Sequence, residues 1–393
     1  MRHALNFGLC ASLLALACSR NVPPGANPVA RPQAADPQLI ATPAPAVRPK
    51  IEVVFALDTT GSMSDLIEGA KQKIWSIANE LQSGQPSPEL RIGLVAYRDR
   101  GDAYVTQHFP LTDDLDVVYE QLSSLRADGG GDGPESVNQA LFEAIHKSGW
   151  STADSVYRTV FLVGDAPPHT DYPNDVSYQE TVREAARRGI VINTVQCGEM
   201  SDTRPIWLAI AQGSQGSYAS IAQSGGMQQI AAPMDAEIDR VNAALSGTVV
   251  PYGAIAAQEK VRSKTRMASA APAAASAARH EYLGKKGGDL VTGGGDLVDD
   301  VRGGRVKLEN VRPEELPNEL RALAPAAQKQ ELARRGAERE QLKTRLDTLV
   351  KERADYVRTE QQKRKAEGAK DGFDDEVMKA VKTQAAARAK VKY

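Results

Sequence analysis

One stretch decides the fold: residues 53–64, which read VVFALDTTGSMS. It begins as an apolar run with β-branched and aromatic residues, which predicts a strand buried on both faces, as in a parallel sheet. The run ends at Asp58, and an amphipathic segment with apolar residues at helical spacing follows from Leu66 to Leu81. Asp58, Thr60 and Ser62 are therefore expected on a turn between the carboxyl end of a strand and a helix, where open α/β sheets bind their ligands.

The three polar side chains of this turn suit a divalent cation. Asp58 supplies a carboxylate, and Thr60 and Ser62 supply hydroxyls at alternate positions. Such hard oxygen ligands, offered to one point, predict Mg²⁺, Mn²⁺ or Ca²⁺. The simpler alternative is that Asp58 or Ser62 only caps the helix, but a cap needs one residue of this kind rather than three. The pattern therefore favours a metal site.

This turn resembles the metal-ion-dependent adhesion site (MIDAS) of von Willebrand factor A (vWA) domains, whose signature is Asp-x-Ser-x-Ser. Thr60 stands in place of the first serine and keeps the hydroxyl. From Ile51 to Leu245, apolar runs alternate with amphipathic segments, as in a doubly wound α/β domain. The resemblance implies the vWA or Rossmann-like fold over residues 51–245: a mostly parallel six-stranded sheet with helices on both faces. It also implies a bound Mg²⁺ or Mn²⁺.

The resemblance assigns two further metal ligands. Asp165 ends a strand that, in the family's sheet order, lies beside the first strand, so Asp165 would face Asp58. Most vWA domains supply a threonine from the loop before the middle helix, but here Glu135 takes that place in the sequence GGGDGPES of residues 129–136. This loop resembles the one in the I-like domain of integrin β subunits, whose glutamate binds the metal. The implied metal ligands are thus Asp58, Thr60, Ser62, Glu135 and Asp165.

The integrin-like loop also implies a second ion. Asp99, Asp132 and Glu135 would hold a neighbouring Ca²⁺, with Glu135 bridging the two ions. Clustered carboxylates repel one another unless a cation lies between them, which agrees with this interpretation. The alternative for Asp99 is a solvated loop. His169 is left without a role, because a single histidine in a loop is more often hydrogen-bonded than a metal ligand.

The amino terminus resembles a bacterial lipoprotein signal peptide over residues 1–18. Arg2 and His3 precede an apolar run from Gly8 to Ala17, and residues 14–18, LALAC, resemble a lipobox. The resemblance implies a lipid on Cys18 and a chain anchored in the bacterial cell envelope, at the outer membrane facing the periplasm or at the cell surface. The alternative is ordinary signal-peptidase cleavage. Residues 19–50, rich in proline and alanine, predict an extended tether.

Composition and motifs narrow the functional classes. The formal net charge is −2 over 393 residues, which gives no indication of nucleic-acid binding. Cys197 would be the one cysteine of the mature chain, so no intramolecular disulfide is expected, and its apolar neighbours predict a core residue. The sequence contains no nucleophile elbow, no His-Glu-x-x-His and no phosphate loop, so neither catalysis nor a small-molecule substrate is expected.

The carboxyl-terminal third gives weaker signals. Residues 246–305 predict a low-complexity linker rich in glycine and alanine, and residues 306–365 a charged helical segment. Leu342, Leu346, Leu349 and Tyr356 form a heptad-like seam, which indicates a helical hairpin or a weak coiled coil. Residues 366–393 predict a basic tail, either a frayed helix or disordered. The expected extension is therefore helical and partly disordered.

Three functions remain open from the sequence. The first is a lipid-anchored vWA-domain protein whose metal takes a carboxylate from a protein partner. The second is an envelope scaffold that acts through its C-terminal helix. The third is a metal-dependent hydrolase.

Overall fold

The computed structural model describes residues 48–393, except 132, 228, 288–290 and 371. The predicted signal peptide, Cys18, nearly all of the predicted tether and Asp132 lie outside the described residues. Within this part of the chain, six strands form one sheet: β1 (Lys50–Asp58), β2 (Glu89–Tyr97), β3 (Thr106–Thr112), β4 (Val156–Gly164), β5 (Ile190–Cys197) and β6 (Tyr218–Ile221).

Helices account for most of the remaining described residues. Seven of them lie between Ser64 and Ala270: α1 (Ser64–Gln82), α2 (Leu115–Ser124), α3 (Val137–His146), α4 (Tyr178–Arg187), α5 (Thr203–Gly213), α6 (Asp235–Gly247) and α7 (Ile255–Ala270). Five more follow in the described chain: α8 (Ala273–Lys286), α9 (Leu297–Arg302), α10 (Asn318–Arg321), α11 (Pro325–Ala366) and α12 (Phe373–Arg388). None of the described helices is long and apolar enough to cross a membrane.

The sheet has the predicted doubly wound order, β3-β2-β1-β4-β5-β6. Only β3, at one edge, runs antiparallel to its neighbour. β1 lies in the centre, between β2 and β4, and its residues are buried almost without interruption, as its apolar sequence predicts. The strand order reverses at β1 and β4, so their carboxyl ends form the crevice where such sheets bind ligands.

Alternate residues of β1 face two separate cores. Val53, Phe55 and Leu57 belong to a core with α1, α2 and α12 on one face of the sheet. Val54 and Ala56 belong to a core with α3, α4 and α5 on the other face. Successive side chains of a strand point to opposite faces, so one apolar run can support both helical layers. The predicted α/β architecture with helices on both faces is confirmed.

The prediction of a linker over residues 246–305 is wrong. Much of this stretch forms helices α7, α8 and α9. α8 packs on α1, where the rings of Tyr282 and Trp75 meet edge to face with centroids 5.6 Å apart. Arg279 of α8 donates to both carboxylate oxygens of buried Asp116 in α2, at 2.7 and 2.9 Å. Alanine has the highest helix propensity and its small side chain allows close packing, so the low-complexity composition indicated helices rather than a linker.

The heptad-like seam lies on α11 and packs within the chain. Leu346 and Leu349 are buried in a cluster that includes Ile238, Val241 and Leu245 of α6. Their 4-3 spacing thus describes the stripe by which a long helix packs on a neighbouring helix of the same chain. The described helices give the seam neither of the two roles first expected, a hairpin or a coiled coil.

The prediction of a frayed or disordered basic tail is also wrong. α12 lies against the sheet, with Phe373, Val377, Met378 and Val381 buried in the same core as Phe55. Spacings of three and four residues place these side chains on one face of the helix, while Lys379 and Lys382 are exposed. The basic composition hid this apolar stripe. The core of the α/β domain is therefore completed by the last helix of the chain.

Candidate metal centre

The turn after β1 brings together the three side chains first singled out. Asp58 is fully buried, and its Oδ1 accepts hydrogen bonds from the backbone N–H of Thr60 at 2.9 Å and from Thr60 Oγ1 at 2.7 Å. Thr60 Oγ1 also lies 3.3 Å from Ser62 Oγ. Neither the short 3-10 helix Gly61–Met63 nor α1 receives a side-chain cap, so the structure does not support the alternative that these residues only cap a helix.

Asp165 and Glu135 join this turn from two other loops. Asp165 follows the end of β4, and its carboxyl group lies close enough to Asp58 to influence its ionisation. Glu135 is held by backbone hydrogen bonds: its N–H donates to Pro167 O at 2.9 Å, and its C=O accepts from His169 N at 3.1 Å. The ligands predicted from the vWA resemblance thus converge at the carboxyl ends of β1 and β4.

Gly130 shows how closely the loops approach one another. A Cβ atom placed on Gly130 would lie 3.2 Å from Thr60 Cβ and 3.4 Å from Glu135 Oε1. The backbone of Gly130 has φ of +82°, a conformation that favours glycine. Gly130 and Glu135 therefore both lie beside Thr60, and a larger residue in place of Gly130 would be crowded and strained.

Burial and neighbouring carboxyl groups raise the pKa values of Asp58 and Glu135. Burial raises the pKa of Asp58 to about 7, and the neighbouring Asp165 contributes to that rise. Burial also raises the pKa of Glu135 to about 9, with contributions from Asp58, Asp99, Asp102 and Asp165. Without a cation, it is unfavourable for these carboxyl groups to be ionised together, because each buried carboxylate loses its hydration and repels the other carboxylates.

Two carboxylate oxygens in this cluster are buried without a donor. Asp58 Oδ2 and Glu135 Oε2 find no hydrogen-bond partner among the described residues. A buried acceptor without a partner is costly, and a cation is one group that satisfies several such oxygens at once. No group of three or more His, Cys, Asp or Glu side chains in the described part of the chain is arranged to hold a metal by itself. A metal here therefore needs the hydroxyls of the turn, which the Asp-x-Thr-x-Ser pattern provides.

Asp99, predicted for a second ion, has protein partners instead. Its Oδ1 accepts from Ser136 Oγ at 2.9 Å, and its Oδ2 accepts from Tyr172 OH at 2.6 Å. His169 is buried, and its Nε2 lies 3.3 Å from Asp99 Oδ2. The structure therefore places Asp99 neither in a solvated loop nor as an open ligand beside Glu135. Asp132, the other residue predicted for that ion, lies outside the described residues.

Two residues near the site were missed by sequence reasoning. Arg98, at the end of β2, donates from Nε to Thr59 O at 3.1 Å and lies over the ring of Tyr104, 4.4 Å from its centroid. Gln223, after β6, donates from Nε2 to Asp165 Oδ2 at 2.7 Å. Sheet topology could have indicated both, because each follows the carboxyl end of a strand that opens onto the same edge.

Residues 52–233 match the family model of the von Willebrand factor A domain. This part of the chain is a vWA domain. The predicted family is thereby confirmed for the α/β portion, and the sheet order around β1 agrees with it.

The similar proteins match about a quarter to a third of this chain. Human von Willebrand factor A domain-containing protein 7 is 36% identical over 99 residues, which are 25% of this chain and 10% of that protein. The alpha-protein kinase vwkA of Dictyostelium discoideum is 29% identical over 124 residues, 31% of this chain and 19% of the kinase. The match to the first of these relatives thus spans a tenth of its length.

Two solved structures with low sequence identity match a little under half of this chain. The vWA domain of SpRpn10 has a TM-score of 0.35 and 14% identity, and the match covers 47% of this chain and 100% of that domain. Proximal thread matrix protein 1 from the mussel byssus has the same TM-score and identity, with 45% of this chain and 42% of that chain covered.

Proposed function

We propose that this vWA domain binds one divalent ion, Mg²⁺ or Mn²⁺, and uses it to take a carboxylate from a protein partner. The ligands are Asp58, Thr60 and Ser62 of the turn, with Glu135 and Asp165 from the neighbouring loops. The proposal is supported above all by the two buried carboxylate oxygens that have no partner among the described residues, Asp58 Oδ2 and Glu135 Oε2.

Each of the chain's residues has a distinct part in this proposal. Asp58 is fixed by two hydrogen bonds from Thr60, which leaves its second oxygen for the ion. Ser62 is exposed and lies on the solvent side of the turn, where a partner would approach. A bound ion would supply the positive charge that lets Asp58, Glu135 and Asp165 ionise together, and an open coordination position. Glu135 adds a negative charge where threonine would add none, which strengthens metal binding and weakens the pull on an acidic partner.

A second ion stays a prediction. Ca²⁺ at Asp99, Asp132 and Glu135 would require Asp99 to give up or share its hydrogen bonds with Ser136 and Tyr172. Asp99 is buried and satisfied, which argues against this site.

The proposal includes a location for the protein, the bacterial cell envelope. A lipid on Cys18 would anchor the chain in a bacterial envelope membrane and present the vWA domain to a protein partner. vWA domains commonly take part in protein–protein interactions, which supports a binding role. We propose neither a nucleic-acid partner nor a small-molecule substrate.

The two alternative functions, a metal-dependent hydrolase and a scaffold acting through its C-terminal helix, need different tests. A metal-dependent hydrolase would use a water bound at the open position of the ion as its nucleophile, so a test of substrate turnover separates it from a binding module. A scaffold acting through its C-terminal helix cannot be tested by deleting residues 306–393, because that deletion removes Phe373 and Val377 from the core of the vWA domain. Charge reversals on the exposed face of α11 are the appropriate test.

The experiment compares metal binding and partner capture. We expect isothermal titration calorimetry to show binding of Mg²⁺ or Mn²⁺ to the protein, and Asp58→Asn to abolish it. Asp154→Asn is the matched control, since Asp154 is exposed and precedes the opposite end of β4. Capture of a partner in Mg²⁺ but not in chelator supports the proposal. Wild-type protein that binds no divalent ion overturns it, and substrate turnover lost in Asp58→Asn would favour the hydrolase.

A further inference from the structure

Gln223 connects two parts of the candidate metal centre that are far apart in sequence. Its Nε2 donates to Asp165 Oδ2 at 2.7 Å, at the end of β4. The same nitrogen lies 3.3 Å from the carbonyl oxygen of Ser62, in the turn after β1. One amide therefore touches both loops that must approach each other to surround an ion.

Gly198, at the end of β5, leaves room for this amide. A Cβ atom on Gly198 would lie 2.2 Å from Gln223 Oε1, closer than any real contact. Gly198 also has φ of +73°, where a side chain is strained. The Gln223 side chain thus crosses over a glycine on its way to Asp165.

The backbone around Gln223 is held by the last helix of the chain. Gly225 O accepts from the N–H of Phe373, the first residue of α12, at 2.9 Å. Gly225 N in turn donates to Ala222 O at 2.8 Å, which closes the turn that presents Gln223. Because Phe373 is buried against the sheet, this turn is fixed to the core and not free in solvent.

We propose that Gln223 is the positioning residue of the metal centre, an inference that rests on the proposed function. It holds one oxygen of Asp165 so that the carboxylate stays directed towards the Asp58 turn, and it holds that turn through Ser62. Groups that hydrogen-bond to metal ligands orient them, and losing one commonly weakens metal binding by roughly 10- to 100-fold. Gln223 is exposed, so we expect the low end of that range, about tenfold.

The first test replaces the amide without changing the size of the side chain. Gln223→Met removes the donor, and Gln229→Met is the matched control, an exposed glutamine six residues further along the same segment. Mn²⁺ affinity is measured by calorimetry on the full chain, and the melting temperature is measured in chelator. We expect Gln223→Met to weaken Mn²⁺ binding about tenfold with an unchanged melting temperature, and Gln229→Met to leave both unchanged.

A double-mutant cycle with Gly198 tests the same contact from the other side. Gly198→Ala should push the Gln223 amide away and weaken Mn²⁺ binding, whatever it costs in stability. In a Gln223→Met background the same change should have little further effect on Mn²⁺ affinity, because the contact is already lost.

The outcomes separate this inference from the proposed function. If wild-type protein binds Mn²⁺ and Gln223→Met binds it with the same affinity, this inference is overturned and the proposed function is not. Fully additive effects of Gly198→Ala and Gln223→Met also overturn it, since Gly198 would then act by another route. Wild-type protein that binds no Mn²⁺ overturns the proposed function and this inference with it.

Discussion

Replacing Phe373 by alanine should destabilise the whole vWA domain. The sequence predicts that this domain ends at Leu245, about 130 residues before Phe373. The Phe373 side chain is 2% exposed, and its ring meets that of Phe55 of the central strand with centroids 5.9 Å apart. The change therefore removes a buried aromatic side chain from the main core.

The expected cost follows from that environment. Truncating a buried phenylalanine to alanine costs about 3–5 kcal/mol, of which an aromatic pair accounts for roughly 0.5–1.5 kcal/mol. Phe373 is the first residue of α12, and the cost of such a change falls where the surroundings can move into the space left. We expect a loss of about 3 kcal/mol in the free energy of unfolding.

Urea denaturation followed by tryptophan fluorescence measures this loss. Lys379→Ala is the control on the same helix, because the Lys379 side chain is 70% exposed, and a surface change of this kind costs within about 0.5 kcal/mol. A Phe373→Ala variant within about 1 kcal/mol of wild type would refute the conclusion that α12 completes the core, and would restore the prediction of a disordered tail.

Three further predictions concern the site, the C-terminal helices and the anchor. The pKa of Asp58 is raised to about 7 and that of Glu135 to about 9, so the protonated side chains stabilise the metal-free fold. This stabilisation is complete below a pH of about 4, the ordinary pKa of these groups, and is lost as the pH rises through the raised pKa values. Mg²⁺ should therefore raise the melting temperature more at pH 8 than at pH 5, and an equal or larger rise at pH 5 would contradict this. Arg279→Ala should lower the free energy of unfolding in urea by about 3–5 kcal/mol, because it leaves Asp116 buried and unpaired. The double variant Arg279→Met with Asp116→Leu should lower it much less, and equal decreases in the two variants would be inconsistent with a buried ion pair. Cys18→Ala should release the protein from membranes in fractionated cells, and wild-type protein found wholly in the soluble fraction would exclude a lipid anchor.

The parts of the fold that were predictable are those where one local pattern decides the structure. The run from Val53 to Leu57 predicts a strand buried on both faces, and the carboxylate and hydroxyls that follow it fall at the switch point of the sheet. Asp165 and Glu135 were placed by the vWA resemblance, and the structure brings both to the Asp58 turn.

The parts that were missed depend on contacts between residues far apart in sequence. Val377 and Val381 are four residues apart, so they lie on one face of a helix, but lysines dominate the composition around them. No local pattern indicated that this face packs in the same core as Phe55. Asp99 looked like a metal ligand because its position matched one, yet Ser136 and Tyr172 supply its donors. Such pairings arise from the tertiary fold and have no signature in a local window.

Anomalous diffraction from a crystal of this protein soaked in Mn²⁺ would show directly whether the Asp58 turn binds a metal. We expect one strong peak within coordination distance of Asp58, with Thr60, Ser62, Glu135 and Asp165 around it directly or through water. A second peak at Asp99 would establish the neighbouring ion and show that the hydrogen bonds of Asp99 yield to a metal. The absence of any peak at the Asp58 turn, in crystals where Mn²⁺ is present in excess, would contradict the proposal that this vWA domain works through a metal.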